Sequence, residues 1–305
     1  MANMKLTDNR EISLEGKKII FIGNSFIHHG FTVLRIPQTV LGQEERSGDR
    51  GYFYQLCKSN REHVDVTAWT FGGHTLTDLF DGCCHAGRGC DGEDHLSKLK
   101  DRFYDYVVIS AGSRGKSDME FLGNIQKIID VFQSANPYVK FFYLCNVASY
   151  GISSCHQIQK NILNSLKLLG DMGVTVVDWG GFVMGLINGT VSVANATQPY
   201  NKNSFIICKS EIDGFHPNLL SGYITSLMLY CAMTEKSAVG QSYSFCNDPS
   251  VHVKFDFELY RRKHYSYNGS VTNFHKIFSS PTDMRGIQSR IDDFLKEKSY
   301  EYYQF

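Results

Sequence analysis

Five short apolar runs, rich in β-branched and aromatic residues, punctuate the chain: Lys18–Ile22, Val64–Thr70, Tyr106–Ser110, Lys140–Cys145 and Val174–Asp178. Their near-continuous apolar character predicts strands covered on both faces, as in a parallel sheet. Helical periodicity lies between and after them. Met119, Leu122, Ile125, Ile129 and Phe132 predict one stripe. Ile158, Ile162, Leu166 and Leu169 predict a second, ended by Gly170 or Gly173. A third comprises Leu220, Tyr223, Ile224, Leu227, Met228 and Cys231. Strands alternating with helices in this way predict a doubly wound α/β fold with right-handed crossovers.

The texture changes after about Thr234. Residues 242–267 are rich in Tyr, Phe and charge, and their alternation predicts one or two further strands. A helix carrying Met284, Ile287, Ile291, Phe294 and Leu295 is expected next. The expected organisation is a main unit over 1–234 and a C-terminal, aromatic-rich extension over 235–305 packed on it. There is no internal repeat and no low-complexity linker.

A chain of 305 residues with 42% hydrophobic and 13% aromatic content is long enough for this arrangement. Formal net charge is zero and no like-charge run occurs, so no bulk field draws the protein to nucleic acid or anionic lipid. Neither partner is expected. No sequence window is long and apolar enough to predict a membrane helix. Residues 1–8 lack the apolar core of a signal peptide, so the expectation is a cytoplasmic protein, or a secreted one if a leader has been removed. The oligomeric state is left open. Nine cysteines occur, and Cys57, Cys145, Cys208 and Cys231 in apolar surroundings read as reduced, buried thiols. Three glycosylation sequons, at Asn188, Asn195 and Asn268, carry no weight without a secretory signal.

Two segments carry candidate chemistry. Gly23-Asn24-Ser25-Phe26 closes the first apolar run, and Asp213-Gly214-Phe215-His216-Pro217 precedes the third helical stripe. A serine at the carboxyl end of a parallel strand sits at the usual ligand crevice of an open sheet. A helix starting there favours developing negative charge. Asp-x-x-His on a loop entering a helix lets the carboxylate hold one imidazole nitrogen while the other faces a serine. Ser25, His216 and Asp213 are thus the candidate nucleophile, base and orienter of an acyl-ester hydrolase.

On these residues the chain resembles the SGNH (GDSL-type) hydrolase family over about residues 15–234. Gly23-Asn24-Ser25 matches its first block. Phe71-Gly72-Gly73-His74 matches its second, with Gly73 as the better glycine, and Asp213–Pro217 followed by Ser221-Gly222-Tyr223 matches its last. The resemblance implies a flavodoxin-like three-layer α/β/α sandwich with a five-stranded parallel sheet. It also implies hydrolysis of ester-linked acyl groups without a cofactor or metal, and backbone amides of Ser25 and Gly73 as oxyanion donors. The third block departs: where the family commonly has Gly-x-Asn-Asp, this chain has Gly112-Ser113-Arg114-Gly115. One lost oxyanion donor costs about 10²–10³ in rate. Three outcomes follow: Arg114 replaces the donor and suits an anionic substrate; Ser113 or Asn146 supplies it; or the hydrolase is weak or has another task. Some carbohydrate-esterase-like branches of the superfamily also lack this asparagine.

Asn24, His74 and Ser113 are expected to contact substrate. Cys83, Cys84, His85, Cys90, Asp91, Asp94 and His95 read as a polar loop at the mouth of the site, in preference to a zinc knuckle or a disulfide. His28-His29 read as polar residues at a helix start. The expected function is a serine esterase removing small acyl groups, acetyl foremost, from a carbohydrate or related metabolite. The alternatives are an O-acyltransferase using the same triad and a non-catalytic anion- or sugar-binding module.

Overall fold

Ile19, Ile20, Phe21 and Ile22 are all fully buried, because the strand they form, β1 (Lys18–Gly23), is covered on both faces. A computed structural model describes residues 12–28, 45–46, 51–70, 74–82, 93–110, 117–150, 162–194, 200–205, 217–247 and 281–303. The remaining strands are β2 (Glu45–Arg46), β3 (Asp65–Thr70), β4 (Tyr106–Ile109), β5 (Lys140–Leu144) and β6 (Val174–Val177). They form one sheet in the order β2-β3-β1-β4-β5-β6. The five predicted strands are present and their pairings are parallel. The expected five-stranded parallel sheet is thus present, and it is extended at one edge. There β2 adds two residues antiparallel to β3, a pairing through backbone groups that leaves no apolar pattern to read.

Side chains divide by strand parity. Ile19 and Phe21 of β1 join Tyr106 and Val108 of β4 and Phe142 and Leu144 of β5 in one core. Their neighbours Ile20, Ile22, Val107, Ile109, Phe141 and Tyr143 join the other. The first core is closed by α2 (Tyr52–Ser59), α6 (Trp179–Asn188) and α8 (Leu219–Thr234). The second is closed by α3 (Leu76–Phe80), α4 (Asp118–Ala135) and α5 (Ile162–Asp171). The result is the three-layer sandwich. In α4 the buried stripe is Phe121, Ile125, Ile128, Ile129 and Phe132, whereas Met119 is 80% exposed. The true stripe is therefore rotated from the predicted one, because Phe121 is taken inward in place of Met119. Helix α5 stops before Gly173, whose φ of +77° suits a residue without a side chain.

Helix α9 (Pro281–Tyr303) packs Met284, Ile287, Ile291 and Phe294 into the first core and touches both α5 and α8. Within the predicted strand region 242–267, only Ser242–Asn247 is described. There Ser244–Asn247 form a 3₁₀ turn, which seats Phe245 against Tyr52 and Tyr223, with ring centroids 5.7 and 6.2 Å away.

Helix α8 fixes the geometry of the candidate site. Its last residue, Thr234, accepts a backbone hydrogen bond from Ile12 at 2.9 Å. Nearby, Glu62 is held by Tyr230 Oη at 2.9 Å, Lys236 Nζ at 3.0 Å and the Leu14 amide at 3.2 Å. Ile12, Leu14 and Glu62 all precede strands, so this end of α8 lies at the amino edge of the sheet. A 16-residue helix is about 24 Å long. Its first turn therefore lies at the carboxyl edge.

Candidate active site at the carboxyl edge of the sheet

The chain leaves β1 for β3 on one side and later returns past β1 to β4 on the other. The carboxyl ends of β1 and β4 thus flank the switch point of the sheet, where open α/β folds bind their ligands. Ser25 stands there as the first residue of α1 (Ser25–His28), half-buried. The turn before it needs Gly23: a Cβ at this position would lie 2.4 Å from the Ser110 carbonyl oxygen at the end of β4. Close approach of the two strand ends is possible only without that atom.

Asn24 is 1% exposed. Its Oδ1 accepts from the Phe26 amide at 3.2 Å, and its Nδ2 donates to the His74 carbonyl at 3.2 Å. Its own carbonyl accepts from the Ile27 amide at 3.0 Å. His74, also 1% exposed, follows β3. Next to it Thr75 and Asp78 cap α3 reciprocally: Thr75 Oγ1 accepts from the Asp78 amide at 3.1 Å, and Asp78 Oδ2 from the Thr75 amide at 2.8 Å. Both side chains are enclosed by protein, and Asn24 is committed to joining the β1 and β3 turns.

Asn146 follows β5 and is 1% exposed. It lies beneath the start of α6, so close that a Cβ on Gly180 would come within 2.4 Å of its carbonyl oxygen. Its backbone stands two strands from β1, about 10 Å away. On the next strand end, Asp178 caps α6 by accepting from the Gly181 amide at 2.9 Å and also accepts from the Tyr150 hydroxyl.

The last predicted block enters the described structure at Pro217, which is buried. Asn218 anchors it. Its amide donates to the Phe205 carbonyl at 2.9 Å, and its Nδ2 donates to the Ser204 carbonyl at 2.9 Å. Its Oδ1 accepts from the Ser221 amide at 3.1 Å, capping α8. Ser221 Oγ adds a bond to the Phe205 carbonyl at 2.7 Å. Ser204 and Phe205 belong to the short helix α7 (Lys202–Phe205).

Sequence similarity identifies no relative: no family model and no curated protein matches this chain. Solved structures do resemble it. One is a carbohydrate esterase family 2 enzyme with a carbohydrate-binding domain from Corynascus thermopiles (Myceliophthora fergusii). It is 16% identical, with a TM-score of 0.43, over 73% of this chain and 67% of that one. A second is a variant of Axe2, an acetyl-xylooligosaccharide esterase of Geobacillus. It is 13% identical, with a TM-score of 0.45, over 71% of this chain and 93% of that one. A third is a member of the lipolytic G-D-S-L family from Veillonella parvula. It is 11% identical, with a TM-score of 0.43, over 70% and 96% of the two chains.

Ser25, Asn24, His74 and Asn146 all stand on strand ends or turns at the carboxyl edge, which Pro217 shares. Gly73, Ser113, Arg114, Asp213 and His216 lie outside the described residues, as do Cys83, Cys84, His85, Cys90 and Asp91. Among the described residues no group of His, Cys, Asp and Glu is placed to hold a metal ion. No described helix is long and apolar enough to cross a membrane. Sequence reading overlooked two anchors, Asn218 with Ser221 and Thr75 with Asp78. Both carry a signal, an Asn, Ser or Thr three residues before its backbone partner at a helix start.

Proposed function

We propose that this protein is a serine esterase that removes small acyl groups, acetyl foremost, from a carbohydrate. Ser25 Oγ attacks the ester carbonyl while His216, oriented by Asp213, takes the hydroxyl proton. The tetrahedral oxyanion is met by the backbone amides of Ser25 and Gly73, with Arg114 or Asn146 as a further donor. Collapse expels the sugar alkoxide, which His216 protonates. Water then attacks the acyl-enzyme by the same route and returns the proton to Ser25. No cofactor enters the balance.

The observation that carries this reading is one of placement. Ser25 opens α1 at the switch point of the sheet, and Pro217, to which His216 is bonded, is anchored at the same edge by the first turn of α8. The preference for carbohydrate rests on the third block, where Arg114 stands in place of the asparagine common in the resembled family, which some carbohydrate-esterase-like branches also lack.

The test is turnover of p-nitrophenyl acetate and of acetylated xylo-oligosaccharides by the wild type and by Ser25→Ala, with fluorophosphonate labelling and mapping of the tagged residue. Labelling at Ser25 and a loss of about 10⁴-fold or more in Ser25→Ala are expected. Equal activity in the two proteins, or a label elsewhere, rejects the assignment.

A further inference from the structure

We infer that Asn218 is a positioning residue for the base of this reaction, acting through its bond to Ser204; the inference rests on the reading of His216 given above. Asn218 has two separable tasks. Its Oδ1 caps α8 by accepting from the Ser221 amide at 3.1 Å. Its Nδ2 points the other way and donates to the Ser204 carbonyl at 2.9 Å, a bond that does nothing for the helix.

That second bond ties the entry to α8 to a firm support. Asn218 is 8% exposed and Phe205, beside Ser204, is fully buried. Phe205 packs on Tyr200, with ring centroids 5.5 Å apart, and shares a core with Leu220 and Tyr223 of α8. Its carbonyl accepts from both the Asn218 amide and Ser221 Oγ. Between the anchored Asn218 and residue 216 stands only Pro217, whose ring fixes φ, so the ψ of Pro217 is the one soft torsion in that residue. A displacement of about 1 Å at a reacting group can cost about 10²-fold in rate. A side chain that pins the residue next but one to the base is therefore placed to control kcat.

The experiment separates the cap from the tie. Asn218→Ser and Asn218→Asp both keep a good cap acceptor. Serine is too short to reach Ser204, and aspartate offers no donor to its carbonyl. Wild type and Ser25→Ala are assayed first, by turnover and by the rate of fluorophosphonate labelling. We then expect kcat to fall between about 10- and 100-fold in both Asn218 variants, with KM within twofold. The labelling rate at Ser25 should fall in parallel, the acidic limb of the pH–rate profile, where the base gains its proton, should be altered, and the thermal midpoint should stay within a few degrees. Ser221→Ala, which loosens the same support while leaving both ends of Asn218 intact, should show a smaller loss and serves if an Asn218 variant does not fold. Wild-type kcat in the variants overturns the inference and leaves Asn218 a helix cap. So does a loss seen only in KM or in the folded fraction. If the wild type is neither active nor labelled at Ser25, the esterase reading fails and the inference falls with it.

Discussion

Asn24 and His74, on turns that follow neighbouring strands, are joined by a hydrogen bond from a buried side-chain amide to a backbone carbonyl, 3.2 Å long. The same amide group accepts from Phe26, so the turn carrying Ser25 is locked to the turn after β3. The first prediction follows from this lock. Asn24→Ala should lower kcat between about 10- and 100-fold on an activated acetyl ester and leave KM within twofold. It should also destabilise the fold by about 1–3 kcal/mol, because the His74 carbonyl is left buried without that donor. Steady-state kinetics and urea unfolding of the one variant check both parts.

At the opposite edge, Glu62 and Lys236 form an ion pair of 3.0 Å, with side chains 5% and 16% exposed. Lys236→Met keeps the apolar stem and removes the charge, leaving a buried carboxylate with the Tyr230 hydroxyl and the Leu14 amide but without its counter-charge. A loss of about 3–5 kcal/mol is expected. The activity of the folded fraction should not change, since the pair stands a helix length from Ser25. Urea unfolding read alongside specific activity tests the separation of the two edges.

Burial raises the thiols of Cys57, Cys231 and Cys246 above their ordinary value of 9.0, with Glu62 adding to the effect at Cys57. Burial also raises Tyr200, with Asp283 contributing, to about 12. An acid whose folded pKa is raised keeps its proton while the unfolded chain loses it. The stability is thus fully present below about pH 9 and is lost as pH rises past it, by up to about 1.4 kcal/mol per pH unit for each thiol. Unfolding free energies between pH 8 and 11 should bend downward near pH 9. In native protein at neutral pH these three thiols should resist iodoacetamide, and mass spectrometry of labelled peptides reads that directly.

Gln288 of α9, 3% exposed, donates to Tyr223 Oη at 3.0 Å and to the Gln241 carbonyl at 2.7 Å, and accepts from the Gly240 amide at 3.1 Å. Gln288→Ala should cost about 1–3 kcal/mol, lowering the thermal midpoint without changing the order of substrate preference. Calorimetry and a small panel of acyl esters are sufficient to check it.

The sheet was legible because its strands are buried on both faces. Runs such as Lys18–Ile22 and Lys140–Cys145 match β1 and β5 to within a residue, and the stripe from Leu220 to Cys231 is buried throughout. What escaped had a physical reason. β2 is two polar residues, Glu45 and Arg46, too short to show a pattern. Met119 fits an apolar stripe by type yet sits in the first turn of α4, where Phe121 takes the inward place. The candidate site was legible as residue types at strand and helix ends. The sequence motif named Ser25 as a chemical group but left no hint that the Asn24 amide reaches the His74 carbonyl or the Asn218 amide the Ser204 carbonyl. A side-chain amide reaching a carbonyl fifty residues away leaves no periodicity behind.

Helix α8 is gripped at its last turn by Ile12 and the Glu62 cluster, and at its first by Asn218. One residue inserted between those grips would turn one end about 100° against the other and push it about 1.5 Å along the axis. Both sets of bonds could not then be kept. The distance from Leu219 to Thr234 is accordingly a fixed gauge in this protein, and natural variation in length should collect in the segments outside it.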